Sequence, residues 1–147
     1  MPEVSLDIDI KAPPERVWAA VVDIERYPAT MENVRWVRID SWETDTTRRT
    51  SWSIVLKGSI LEWEEKEHID HDAKVMSFHQ LSGDLAEFDG QWALHPLGPE
   101  ETRVTFDVSF EIGIPLLADA LNPVAKRSLH SNCTEMLLGV EQEALAA

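Results

Sequence analysis

The sequence predicts an α+β domain in which a curved antiparallel sheet of about seven strands wraps a long C-terminal helix, with two short helices after strand one. Three observations predict it. Apolar and polar residues alternate in one segment after another, the pattern of half-buried strands. These segments follow each other through short turns, which makes an antiparallel meander. The period becomes helical in two places, directly after the first strand and at the C-terminal end.

Val4, Leu6, Ile8 and Ile10 alternate with Ser5, Asp7 and Asp9 and form the first strand. Pro13-Pro14-Glu15 then suits the first turn of a helix, where a missing N–H does no harm and an acidic side chain favours the helix dipole. Val17, Trp18, Val21 and Val22 recur on one face of that helix, and Tyr27-Pro28 ends the helical segment, because a residue preceding proline is pushed out of the helical region. Val34–Trp42 reads as a second strand and Asp45-Thr46-Thr47 as a polar turn. The third strand runs from Arg49 to Leu56, with Trp52, Ile54 and Leu56 on one face, and Lys57-Gly58 suits a bulge or bend.

Ser59–Ile69 is the fourth strand, with Leu61, Trp63 and Glu65 on one face. After the turn His71-Asp72-Ala73, the fifth strand covers Val75–Leu81. The sixth carries Phe88, Gly90, Trp92 and Leu94 on one face and ends at a turn, Pro96-Leu97-Gly98-Pro99. Val104, Phe106, Val108, Phe110 and Ile112 give the cleanest alternation and the seventh strand, which Gly113-Ile114-Pro115 breaks. In the C-terminal helix Val124, Leu129, Cys133, Met136, Leu137 and Val140 share an apolar face, and Pro123 marks a start or a kink. Such a sheet must cover its apolar face, and the last helix is the long element available. The space between them is the expected binding site.

With 147 residues, 44% hydrophobic and 27% charged, the chain suits one domain, residues 1–147, with a real core. The net charge of −14, from 13 basic and 27 acidic residues, argues against nucleic acid and anionic membrane surfaces as partners. No apolar run approaches the roughly 20 residues that span a bilayer. The N-terminus shows no basic-then-apolar leader, and a single cysteine, Cys133, forms no intrachain disulfide, so a cytoplasmic location is expected.

Ala12-Pro13-Pro14-Glu15-Arg16-Val17-Trp18 and Asp23-Ile24-Glu25-Arg26-Tyr27-Pro28 carry a family resemblance, joined by Gly58, Trp63-Glu64-Glu65, Gly90-Gln91-Trp92, Thr102-Arg103-Val104 and Asn132. Over essentially its whole length the chain resembles the START-like helix-grip (SRPBCC) superfamily, and within it the polyketide cyclase and aromatase group, which has lipid-transfer and quinone-binding relatives. The resemblance implies a helix-grip fold and a hydrophobic ligand in its cavity. Several members with aromatase or cyclase roles place an arginine directly after the glycine matching Gly58, and some carry a tyrosine shortly after the Tyr-Pro element. Ser59 and Val34 stand at those places, so no catalytic pair is carried over.

Candidate site residues follow from strand faces and side-chain chemistry. Trp52, Trp63, Trp92, Phe88, Phe106 and Phe110 from the strands, with Cys133 and Met136 from the last helix, are the ligand-binding candidates, since flat aromatic walls suit an aromatic or polyketide-like molecule. Glu65 shares the face of Trp63; in an apolar cavity its pKa would rise and it would serve as general acid or base, whereas at a strand end within the run Glu62–Glu67 it would lie on a wet face. Asn132, Arg127 and Arg38 are candidate donors to ligand carbonyls. His79, opposite the face of Met76 and Phe78, lies either in solvent or in the cavity as an acid/base. His68 and His71 fall on opposite faces, so no metal site is expected, nor any cofactor. Two functions remain: aldol cyclisation and dehydration of a polyketide-like chain, with an acyl carrier protein as a candidate partner, or non-catalytic carriage of a lipid, quinone or metabolite. A polar proton-transfer group deep in the pocket separates them. Monomer and homodimer both stay open.

Overall fold

The computed structural model describes residues 3–56, 59–111 and 115–146, the last segment with side chains from residue 125 onward. Seven strands form one antiparallel sheet in the order β1-β7-β6-β5-β4-β3-β2. In chain order they are β1 (Glu3–Ile10), β2 (Val34–Trp42), β3 (Thr47–Leu56), β4 (Ser59–Asp70), β5 (Val75–Gly83), β6 (Glu87–Gly98) and β7 (Glu101–Glu111). Strands β2 to β7 are a pure meander, and β1 joins the far edge beside β7. The chain crosses between the two edges through α1 (Pro14–Val22) and a short 3-10 helix (Ile24–Ala29). The C-terminal helix, α2 (Pro115–Ala146), lies against α1, β1, β3 and β7. Among the described residues no helix is long and apolar enough to cross a membrane.

Alternation sorts the strands into an inner and an outer face. On β1, Val4 and Ile10 are buried while Ser5, Asp7 and Asp9 are exposed, and on β7 Val104, Phe106, Val108 and Phe110 point inward. The outer face of β2, β3 and β4 is polar, with Arg35 bonded to Ser53 and facing Glu62, and Arg49 facing Glu64. The outer face is thus wet and the inner one apolar, which fixes strand register.

The helical crossover differs in detail from the sequence expectation. Helix α1 stops at Val22, not at Tyr27-Pro28: Asp23 leaves helical geometry (φ −82°, ψ 66°), and Pro28 sits inside the separate 3-10 helix. Tyr27 is buried there, and its hydroxyl donates to the Val21 carbonyl at 2.6 Å. The Arg48 guanidinium donates to the Val22 carbonyl at 2.8 Å, so a cation from β3 completes the end of α1, where carbonyls and dipole both favour one.

Two further boundaries shift. Strand β6 runs through Pro96 to Gly98, where a turn was expected. Pairing with β5 ends at Ala93, so Pro96 lies on a stretch with one open edge, and a bulge between Pro96 and Gly98 absorbs the irregularity. Strand β3 starts at Thr47, which brings Arg48 into the sheet. Helix α2 starts at Pro115 and continues through Pro123 as backbone helix. The expectations for Lys57-Gly58, Ile112 and Gly113-Ile114, and for the side chains of Pro123 and Val124, fall outside the described residues.

Gly90 holds the middle of the sheet close. A Cβ at this position would overlap the Asp107 carbonyl oxygen of β7 and stand 2.9 Å from Cζ of Phe78, whose ring occupies the place a side chain would take. Gly90→Ala is expected to lower the urea unfolding free energy by about 1–3 kcal/mol, as overpacking does, with loss of near-ultraviolet tryptophan signal from the displaced aromatic cluster.

Candidate functional site

A cavity lies between the inner face of β3–β7 and the middle of α2. The β3–β4 hairpin builds its polar end. Its register sets Trp52 opposite Trp63, Thr50 opposite Glu65 and Arg48 opposite Glu67. The two indoles stack with centroids 5.9 Å apart and planes 2° from parallel. Phe88 meets Trp63 at 5.1 Å, Phe78 meets Phe88 at 5.6 Å, and Trp92 stacks on Phe106 at 3.9 Å. These rings make a continuous aromatic wall, each ring in the offset or edge contact its quadrupole favours.

Behind the wall sits a buried charge system. Arg48 and Glu67 form an ion pair, Nε to Oε1 at 2.6 Å, with exposures of 2% and 0%. Burial of two charges is tolerable only when their remaining groups are bonded. Arg48 also reaches the Val22 carbonyl and the Met76 sulfur, and Trp42 covers its outer side at 5.2 Å. Thr50 Oγ1 donates to the second Glu67 oxygen at 3.4 Å and accepts from the Trp52 indole at 2.8 Å. Glu65, 2% exposed, stands beside this pair on the same strand face. Burial pushes its carboxyl well above the ordinary value of 4.5; the Glu67 charge and a hydrogen bond with Glu67 push it further, against a smaller opposing pull from the Trp63 N–H and Arg48. The Trp63 indole donates to Glu65 Oε1 at 2.7 Å. Glu65 is thus a buried carboxyl of raised proton affinity in an aromatic cavity, beside the Arg48–Glu67 pair.

The structure brings together Trp52, Trp63, Trp92, Phe88, Phe106, Glu65, Asn132, Cys133 and Met136 as cavity lining. Asn132 projects from α2, and its Nδ2 donates to the Val55 carbonyl at 3.3 Å. Cys133 is buried, its thiol pushed up to about 12 by desolvation, which removes it as a nucleophile at neutral pH. Phe110 is buried on the inner face of β7 but is not among the cavity-lining residues. Arg127 is exposed on α2, and Arg38 pairs with Asp40 on the outer face. His79 is exposed on the outer face of β5, stacked on His68 at 6.0 Å, so its solvent alternative is the one realised. Among the described residues no cluster of His, Cys, Asp and Glu could hold a metal ion.

Arg48 and Glu67 escaped the sequence reading. Arg48 fell at the boundary of a turn, and Glu67 lay in a run that reads as a wet face. One signal could have found them: a hairpin register that pairs Trp52 with Trp63 necessarily pairs Arg48 with Glu67.

The free volume enclosed is small, about 30 Å³, on the order of one or two waters. A drug-sized ligand site is roughly 300–1,000 Å³, so a larger ligand enters only as α2 and the aromatic wall move apart.

A meander sheet gripping one long helix, with an apolar cavity between them, defines a START-like helix-grip protein. The chain belongs to the polyketide cyclase/dehydrase and lipid transport family, which matches residues 10–136. A relative is the granaticin polyketide synthase bifunctional cyclase/dehydratase of Streptomyces violaceoruber, 29% identical over 107 residues, which are 71% of this chain and 33% of that protein. The chain therefore spans about a third of that relative's length. A solved structure from Thermus thermophilus superposes with TM-score 0.91 at 29% identity, covering 99% of this chain and 98% of the other. The Zhui aromatase/cyclase from a Streptomyces species superposes with TM-score 0.88 at 20% identity, covering 98% and 93%, a likeness of fold.

Arg48→Met is expected to destabilise by about 3–5 kcal/mol, because it leaves Glu67 buried without its cation; Arg48→Met with Glu67→Leu should recover most of that loss in urea unfolding. Glu65 should also set a pH dependence. The folded state keeps a proton that the unfolded chain releases near 4.5. That contribution is complete below the unfolded value and is lost as pH rises through the elevated folded value. Urea midpoints should therefore fall with rising alkalinity in the native protein relative to Glu65→Gln, and the two should converge in mild acid.

Proposed function

We propose that the protein binds a hydrophobic poly-carbonyl chain in this cavity and catalyses its aldol cyclisation and dehydration, with Glu65 as the acid. The buried Glu65 carboxyl lining the aromatic cavity, its proton affinity raised by burial, carries this reading: it is a proton-transfer group deep in the pocket, which a passive carrier does not need. Family membership and the cyclase/dehydratase relative support the substrate class.

The chemistry fits the geometry. The aromatic wall holds the chain folded, so that an enol carbon of one β-diketone unit meets a ketone carbon of another. As the C–C bond forms, the ketone oxygen takes the Glu65 proton and becomes a hydroxyl, and the enol O–H proton returns to the Glu65 carboxylate. In dehydration Glu65 protonates that hydroxyl, the C–O bond breaks with release of water, and the neighbouring C–H proton goes back to Glu65. Arg48 and Glu67 enter neither step; they position Glu65 and tune its proton affinity. Asn132 supplies a carboxamide N–H for a second carbonyl if its bond to Val55 yields. In this reading the chain arrives free or on an acyl carrier protein. Carriage without chemistry is the second reading, favoured by the lipid-transport members of the same family.

Incubation with a reactive poly-β-ketone, followed by product analysis, tests the proposal. The native protein should redirect the products toward one cyclised, dehydrated compound. Glu65→Gln should lose about a hundredfold in rate or more while still quenching tryptophan fluorescence on ligand addition. A product spectrum unchanged by native protein that nonetheless binds the chain would leave the carrier reading.

A further inference from the structure

A second hollow lies on the surface just outside the cavity, between the start of β2, the end of β3 and α2. Asn132 lines both the hollow and the cavity, so it is the partition between them. The partition is lightly latched. Asn132 Nδ2 reaches the Val55 carbonyl at 3.3 Å, and Asn33 Nδ2 reaches the Asn132 carbonyl at 3.4 Å, both long bonds. The far end of α2 is fastened more tightly: Arg16 Nε donates to the Ala144 carbonyl at 2.9 Å and Arg26 pairs with Glu143 at 2.7 Å. Of these two described attachments the one at Asn132 is the weaker, and movement of α2 there joins the two hollows.

The chemistry of the outer hollow is one-sided. Asn33, 8% exposed, lines it, and its Oδ1 has no hydrogen-bond partner, the one such buried side-chain atom among the described residues. A buried acceptor without a donor is unfavourable until a donor reaches it. Two exposed carboxylates, Glu32 and Glu135, flank it, and Ser131 adds a hydroxyl. Among the described lining residues the charge is negative only.

We propose that this hollow is the outer half of the ligand site, and that it selects elongated ligands ending in an uncharged hydrogen-bond donor, an amide or a hydroxyl, over those ending in a carboxylate. Asn33 Oδ1 is covered in the closed structure, and movement of α2 away from Asn33 uncovers it; the donor then satisfies it while the apolar body fills the cavity behind Asn132. A terminal carboxylate meets Glu32 and Glu135 with like charge and leaves Asn33 Oδ1 unpaired. The inference rests on the cavity being a ligand site, and it adds which end of the ligand stays outside and what that end is.

The test is tryptophan-fluorescence titration with decanamide and with decanoate near neutral pH, since Trp52, Trp63 and Trp92 line the cavity. Decanamide should bind about tenfold tighter or more, a difference of about 1.4 kcal/mol. Desolvation of the anion alone would favour the amide, so the variants locate the effect. Asn33→Leu also removes the Asn33–Asn132 bond, which acts on both ligands alike, so the readout is their ratio: the preference for decanamide over decanoate should fall about tenfold. Glu32→Gln with Glu135→Gln should strengthen decanoate severalfold and leave decanamide unchanged. If circular dichroism shows Asn33→Leu misfolded, the surface double variant decides. Equal response of both ligands to every variant overturns this inference and leaves the cavity as a ligand site. Absence of any fluorescence change with either ligand overturns both.

Discussion

The buried pair of Arg48 and Glu67 is the interaction on which the site depends. It joins three elements at once, because the guanidinium bridges β3 to β4 through Glu67 and caps the final carbonyl of α1. A buried ion pair adds little net stability when its desolvation is counted, and breaking it is expensive. Its consequence for Glu65 is secondary to burial but in the same direction: desolvation raises that carboxyl's pKa most, Glu67 raises it further, and Arg48 opposes with a smaller pull.

The aromatic wall has a matching role. Cross-strand stacking of Trp52 on Trp63 excludes water from the carboxyl pair, and the Trp63 indole directs one Glu65 oxygen. The same ring thus provides both apolar surface and orientation, the use to which tryptophan's single N–H is suited. The tightness of the wall also explains why the free volume is small. Flat rings in contact leave no void, and a ligand takes the place of ring–ring contacts as α2 lifts. An unequal fastening of α2, short bonds at its C-terminal end and long ones at Asn132, gives that motion a direction.

Much of the fold was legible because it rests on local periodicity. Val4 to Ile10 and Val104 to Phe110 declare their strands through alternation, and Pro13-Pro14 declares the start of α1. The stop of α1 was misplaced because the chain leaves helical geometry already at Asp23, where Arg48, a residue distant in sequence, takes the last carbonyl. The end of β6 was misplaced because Pro96 is tolerated where β5 has already ended, which is a fact about the neighbouring strand. Glu65 could be put on the face of Trp63 by parity, yet parity does not say which face is dry. His79 posed the same question and fell on the wet side.

By itself the sequence determined the elements, their order, the apolar face of each and the family to which they conform, since these follow from spacing of two or about 3.6 residues along the chain. Tertiary structure alone decided that Arg48 and Glu67 meet, that burial raises the proton affinity of Glu65, and that Asn33 and Asn132 share a hollow beside the cavity. Hairpin register, burial and the seating of α2 are long-range outcomes. The ionisation of a carboxyl is set by what surrounds it in space, and no local pattern carries that information.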